Sequence, residues 1–183
     1  MYHSIAMVTH MRRALAIVVL IVCGMLALSA GPALAGNPSP TRIRAAIKRA
    51  EQSPSLWATV NICNSRRYPN DIGIRGQMPT LGFATWLSMD VTLYYYSRAE
   101  KRFTAVPTGS KLVHLGRASS GLQQSGAMFQ FAPHQPPLKA VVTFIWRRSG
   151  QLLGQTARST AAGHHNADYS SPARYSAATC TIT

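Results

Sequence analysis

From Leu56 onward the apolar positions recur at every second residue, most regularly over residues 84–96. There Leu87, Met89, Val91, Leu93 and Tyr95 alternate with Ser88, Asp90, Thr92, Tyr94 and Tyr96, the pattern of a strand with one face on a core and the other toward water. A one-residue slip would turn the whole apolar set to solvent, so the alternation also specifies register. The same period predicts strands over residues 56–63, 72–78, 102–106, 112–115, 127–131, 151–160 and 175–182. Residues 141–146, Val-Val-Thr-Phe-Ile-Trp, are apolar on both sides and predict a strand covered on both faces. Tyr68-Pro69-Asn70-Asp71, Pro79-Thr80-Leu81-Gly82 and Pro107-Thr108-Gly109-Ser110 read as turns. Residues 119–126 and 161–174 read as loops, residues 133–137 as a rigid connection, and Ser149-Gly150 as a two-residue hairpin turn.

Upstream of Leu56 the period is 3.6. Over residues 41–52, Ile43, Ala46, Ile47 and Ala50 share one stripe and Arg42, Arg44, Lys48 and Arg49 lie elsewhere, predicting one short basic helix with Thr41 as its N-cap. Its apolar face is small, so loose docking is expected. The fold class that follows is all-β: an antiparallel, immunoglobulin-like β-sandwich of about 7–9 strands after one short helix. The Cys and Trp positions do not follow the immunoglobulin order, so the likeness is one of architecture.

The N-terminus has a different character. Arg12 and Arg13 precede an uncharged apolar stretch, residues 14–30, then a Gly31-Pro32 break and Ala33-Leu34-Ala35. This order predicts a signal peptide over residues 1–35, cleaved after Ala35 on the general secretory route. Either Met1 or Met11 serves as its start. The alternative is an uncleaved membrane anchor, but the stretch is short for a span, which needs about 20 residues. Cys23 lies inside the apolar stretch, so no lipid-bearing cysteine follows a cleavage point. The chain therefore divides into a signal peptide (1–35), a linker and helix (36–55) and a single β domain (56–183).

Charge sharpens this picture. Nineteen Lys and Arg residues stand against 5 Asp and Glu, a formal net charge of +14. The excess is scattered, as at Arg66-Arg67, Lys101-Arg102 and Arg147-Arg148, which keeps a domain soluble and draws it toward polyanions. Beyond the signal peptide only Cys63 and Cys180 remain, and an even pair in an oxidising compartment predicts one disulfide. Closing so long a loop is worth about 4–5 kcal/mol on the chain-entropy model.

Enzyme chemistry finds little footing. The acids are Glu51, Asp71, Asp90, Glu100 and Asp168, placed in a helix, a turn, a strand face and loops, with nothing to suggest the paired carboxylates of a glycosidase. No Gly-x-Ser-x-Gly elbow and no phosphate-cradling glycine loop occurs. His164, His165 and Asp168 form the one group of possible metal ligands, but adjacent histidines on an extended chain point to opposite sides, so no metal or other cofactor is expected. A binding role is better founded. Tyr94 and Tyr96 place two rings on the polar face of their strand near Arg98, Lys101 and Arg102, and rings flanked by cations stack on sugars or bases while the charges hold an anionic backbone. Trp57, Trp86 and Trp146 read as core or rim packing.

Val60-Asn61-Ile62-Cys63, Ile72-Gly73-Ile74-Arg75, Val142-Thr143-Phe144-Ile145-Trp146-Arg147, Ala162-Gly163-His164 and Tyr175-Ser176-Ala177-Ala178-Thr179-Cys180 together resemble a group of uncharacterised secreted β-sandwich proteins of high-GC Gram-positive bacteria. The resemblance implies export, a sandwich and the disulfide, and carries no activity. The function expected is that of a secreted, non-enzymatic protein at or outside the cell envelope, binding an anionic envelope polymer or another protein. Its rivals are a secreted hydrolase whose residues converge only in the fold, and a structural module held to the membrane by an uncleaved N-terminus.

Overall fold

The computed structural model describes residues 37–183, so the predicted signal peptide, with Cys23, lies outside the described residues. The first element is α1 (Pro40–Glu51). Its N-cap is Ser39, not Thr41: Pro40 has no N–H to leave unsatisfied and so suits the first turn, while the Ser39 hydroxyl accepts from the Arg42 N–H at 3.2 Å. Lys48 and Arg49 occupy the last turn, where cations meet the negative end of the helix dipole. The helix is firmly docked, contrary to the expectation from its small apolar face. Ala46, Ile47 and Ala50 are buried, and Ile47 fits against Gly154, where a Cβ would come within 2.7 Å of it. An Arg158 guanidinium also donates to the Glu51 carbonyl at the end of the helix.

Seven strands follow: β1 (Trp57–Ser65), β2 (Tyr68–Pro79), β3 (Thr85–Ser97), β4 (Arg102–Ala118), β5 (Leu122–Gln130), β6 (Leu138–Arg148) and β7 (Gln151–Ser159). All pairings are antiparallel. They form a three-stranded sheet in the order β1-β2-β5 and a four-stranded sheet in the order β4-β3-β6-β7. The sheets pack face to face. Val60, Ile72, Ile74 and Met78 meet Leu87, Met89, Val91, Leu93, Val142, Phe144 and Trp146 in one continuous core. The indole N–H of Trp146, the largest fully buried side chain, donates to the Pro79 carbonyl at 3.0 Å.

Several expected boundaries move, each for a local reason. The β1–β2 turn falls on Arg66-Arg67, and Tyr68 already pairs with Ser65. Pro69 and Asn70 had the composition of a turn, but Asn70 is accommodated within β2 by a left-handed φ of 60° and by the Asn64 side chain, which accepts its N–H at 2.8 Å. Residues 102–106 and 112–115 belong to one strand. Ala105 pairs with Tyr94 and Ser110 with Thr92, so the Pro107 segment loops out as a bulge of edge strand β4, where a missing N–H is tolerated. β5 begins at Leu122 rather than at residue 127. β6 is not covered equally on both faces: Leu138, Ala140, Val142, Phe144 and Trp146 are buried and the residues between them only partly so. The Ser149-Gly150 hairpin is as expected, with φ of 47° and 79°, the two positive values that a type I′ turn requires.

Residues 175–182 form no strand, only isolated bridges. Ala177 exchanges backbone hydrogen bonds with Val60 of β1 (2.9 and 3.0 Å), and Cys180 does so with Leu138 of β6 (2.7 and 2.8 Å). The segment thus crosses from one sheet to the other and cannot extend a ladder on either. It acts as a strap across the open side of the sandwich. The Cys63–Cys180 disulfide is formed, with the Cα atoms 5.5 Å apart across a sequence separation of 117. Replacing both cysteines by serine is expected to cost about 2–5 kcal/mol of unfolding free energy. Chemical denaturation of the oxidised protein and the double variant checks this, and coincident curves would show that the strap holds without its sulfur link.

Candidate functional site

The outer face of the three-stranded sheet is not left to solvent. Trp57, Thr59 and Asn61 point outward from β1, and Gly73, Arg75 and Gln77 do so from β2. Gln124, Gly126 and Met128 occupy the corresponding places on β5. Residues 161–177 fold back over the β1 side of this face. The His164 ring stacks on Trp57 with centroids 4.6 Å apart and planes 9° from parallel. Thr59 and Ser176 share a hydroxyl–hydroxyl hydrogen bond of 2.8 Å. The Asn61 amide donates to the Asp168 carbonyl (2.9 Å), and the Asp168 N–H donates to the side-chain oxygen of Gln124 (3.0 Å). Gln124 also donates to Gln77. Every outward residue of β1 is therefore buried although it faces away from the core.

Where this cover ends, a pocket of about 280 Å³ opens. Its floor is bare backbone. A Cβ at Gly126 would collide with the Ile74 carbonyl oxygen, and one at Gly73 would stand 2.9 Å from the Asn61 side chain, so the close approach of chains admits only glycine at either place. Ile62, Met128 and Tyr68 supply apolar wall, and Tyr169 stands at the rim. Tyr169 is 81 % exposed and holds a left-handed φ of 56°, so the loop presents this ring outward rather than packing it away.

Arg75 also lines the pocket, half-buried. Its guanidinium lies 5.1 Å from the centre of the Tyr169 ring. Burial pulls its pKa down, while Asp168 and Tyr169 act in the opposite direction. Arginine stays charged regardless, so the shift marks the cost of desolvating a cation. Asp168 does not close an ion pair with it: among the described residues the ion pair is Arg102–Glu100. The Arg75 Nε is buried and has no hydrogen-bond partner, a situation that costs about 1–3 kcal/mol for a neutral donor and more for a charged one. An anion entering the pocket would satisfy that donor and the charge together.

The cationic and aromatic character continues beyond the pocket. The Arg67 guanidinium lies 5.4 Å from the centre of the Tyr68 ring. Arg66 and Arg67 line a second, more open depression of about 470 Å³ with Ser65, Ser171 and Pro172. Tyr68 belongs to the first pocket and its chain neighbour Arg67 to the second, while Tyr169 of the first lies two residues before Ser171 of the second.

The residues singled out from the sequence are placed differently. Tyr94 and Tyr96 do lie on the outer face of the four-stranded sheet, paired in register with Ala105 and Phe103. Tyr96 meets Phe103 edge-on at 5.4 Å, and Lys139 caps the Phe103 ring at 4.4 Å. Tyr96 and Arg98 line an open depression of about 480 Å³ with Tyr95 and His134, but Tyr94, Lys101 and Arg102 are not among its walls. Arg102 is engaged with Glu100 at 2.7 Å, and this contact, with a Thr104 hydroxyl, holds the Glu100 carboxyl below its ordinary pKa. Lys101 occupies the β3–β4 turn with a φ of 52°.

Of the possible metal ligands, His164 is taken up by Trp57, and His165 bonds through Nδ1 to the Arg174 carbonyl at 2.8 Å. Asp168 lies by Arg75, whose pKa it raises. Among the described residues no group of three His, Cys, Asp or Glu side chains is placed to hold a metal ion. Trp57 and Trp146 are buried, but Trp86 is 56 % exposed on the outer face of β3, a correction to its reading as core or rim.

No protein-family model matches this chain, and no curated protein matches it.

Burial, and after it the neighbouring His165, lower the His164 pKa. The unfolded chain, with an imidazole near 6.5, then binds more protons than the folded one in the interval between the two values. The contribution of His164 is full above about pH 6.5 and is lost as the pH falls through that value toward the lower folded pKa. Urea midpoints measured from about pH 7 to pH 5 should fall less steeply for His164→Phe, which keeps a ring against Trp57 and removes the titration. Parallel slopes for the two proteins would show that another group is responsible.

Proposed function

We propose that this is a non-enzymatic exported protein that binds an anionic polymer of the cell envelope along the outer face of its three-stranded sheet. The observation that carries the proposal is the buried, unpartnered Nε of Arg75 in an open pocket. A guanidinium with one donor kept from water and without an acceptor is a poor stabiliser of a fold and a good receiver of an anion. Arg66 and Arg67 extend the positive character past the pocket, and Tyr68 and Tyr169 offer faces on which rings of a polymer stack. The pocket is small beside the roughly 300–1,000 Å³ of drug-sized sites, which suits one residue of a repeating chain rather than the anchor of a protein interface.

An extracytoplasmic setting is supported by the disulfide. Among the described residues no helix is long and apolar enough to cross a membrane. The sheet orders β1-β2-β5 and β4-β3-β6-β7 correspond to A-B-E and C′-C-F-G, which supports an immunoglobulin-like sandwich. The cross-link runs from β1 to the C-terminal strap rather than between the B and F strands, so the likeness is one of topology and not of the immunoglobulin disulfide.

Retention on immobilised poly-L-glutamate and on dextran sulfate tests the proposal. Affinity should fall steeply with ionic strength, and Arg75→Met should weaken binding by about tenfold or more, equivalent to about 1.4 kcal/mol. Arg44→Met, which removes an exposed cation of α1, should change it by less than about twofold. Equal losses for the two variants would assign binding to net charge and dismiss the pocket.

A further inference from the structure

We infer that the Arg75 pocket selects a carboxylate carried on a short apolar stem over phosphate or sulfate. The inference rests on the reading of the pocket as an anion site and goes on to name the chemical class it takes. Three features of the pocket point the same way.

The first is the shape of the donor. A guanidinium offers Nε and one terminal nitrogen as a planar fork that matches the two oxygens of a carboxylate. In Arg75 the unpartnered atom is Nε, the inner tine of that fork. The Tyr169 ring centre lies 5.1 Å from the guanidinium carbon, which leaves less room beside the fork for a tetrahedral anion than for a flat one.

The second is the local charge. Asp168 is pinned beside the pocket through its own backbone, with the N–H held by Gln124 and the carbonyl by Asn61. Its carboxylate is left outside any ion pair yet close enough to act on Arg75. The ligand therefore meets one positive and one negative protein charge. A monoanion that bonds directly to the guanidinium gains more from the near cation than it loses to the farther acid, whereas a phosphate dianion doubles its repulsion from Asp168. Sulfate esters carry a single charge but share the tetrahedral shape of phosphate.

The third is the wall. Ile62 and Met128 supply apolar wall over a floor of Gly73 and Gly126. Apolar surface beside a single charge-bearing group suits an aliphatic stem ending in an acid.

Titration of the disulfide-intact protein by NMR or calorimetry tests this with four probes of similar bulk: N-acetylvaline, its neutral methylamide, isobutyl phosphate and isobutyl sulfate. N-acetylvaline should bind at least about fivefold more tightly than either tetrahedral anion, and the methylamide should not bind. Arg75→Lys, a point charge without the fork, should lose most of the carboxylate affinity. Asp168→Asn should raise the phosphate affinity severalfold at low salt and narrow the gap to the carboxylate. A phosphate or sulfate that binds wild type as well as the carboxylate overturns the inference, as does a phosphate-to-carboxylate ratio unmoved by Asp168→Asn. If retention on dextran sulfate depends on Arg75 while no carboxylate preference is found, the selection fails and the anion site stands. If N-acetylvaline binds Arg75→Met as it binds wild type, both fall. N-acetylglutamate methylamide, whose carboxylate is pendent rather than terminal, separates the two sources of the group: the tighter of the two acids identifies a polymer side group or a chain end.

Discussion

The strap formed by the C-terminal residues is the constraint on which the other features rest. β1 ends the three-stranded sheet, and β6 begins at Leu138, before its pairing with β7 reaches Val141, so on that side the outer backbone groups of Val60 and Leu138 have no strand neighbour. Ala177 and Cys180 supply the missing partners to Val60 and Leu138, and the disulfide ties the same region to the end of β1. The strap also determines where the preceding loop can lie. Residues 161–174 must travel from the end of β7 to the start of the strap, and the path available runs over the outer face of β1 and β2. The cover over Trp57, Thr59 and Asn61, the position of Asp168 and the rim position of Tyr169 all follow from that path.

This explains the division between what was legible in the residues and what was not. The third strand was readable almost to its ends, because Leu87 to Tyr95 alternate without interruption and Leu87, Met89, Val91 and Leu93 of that set are buried. The Ser149-Gly150 turn was readable for a similar reason, since its chemistry is local. Pro107 misled because proline signals a break, and only the position of β4 at a sheet edge turns that break into a bulge. Residues 175–182 misled because alternation cannot distinguish a strand from a strap that takes one residue's bonds from each of two sheets. The disulfide was inferred from cysteine count and compartment, with no knowledge of the path that brings the two residues together.

The pocket was beyond reach of pattern. Arg75 reads as one polar residue in an alternating strand, which is what solvent-facing positions look like, and Gly73 and Gly126 read as ordinary weak points in strands. It takes the return of the chain more than ninety positions later to convert an exposed cation into a half-buried one with an unanswered donor. The tyrosines of β3 were legible as outward rings, but Glu100 neutralises Arg102 locally and Tyr94, Lys101 and Arg102 stay off the depression that Tyr96 and Arg98 share. Proximity in sequence counted those groups together, whereas Lys101 sits in the β3–β4 turn and Arg102 beyond it on β4.

The bulge that carries Pro107 has an effect on the molecule's dealings with its own copies. β4 is the longest strand and ends the larger sheet, so an uninterrupted row of free amides along it would invite a second chain to add a strand there and begin a fibril. Proline withdraws one donor and the extra residues throw the following ones out of phase. An arriving strand would find footing for a few residues at most, too short a template for growth.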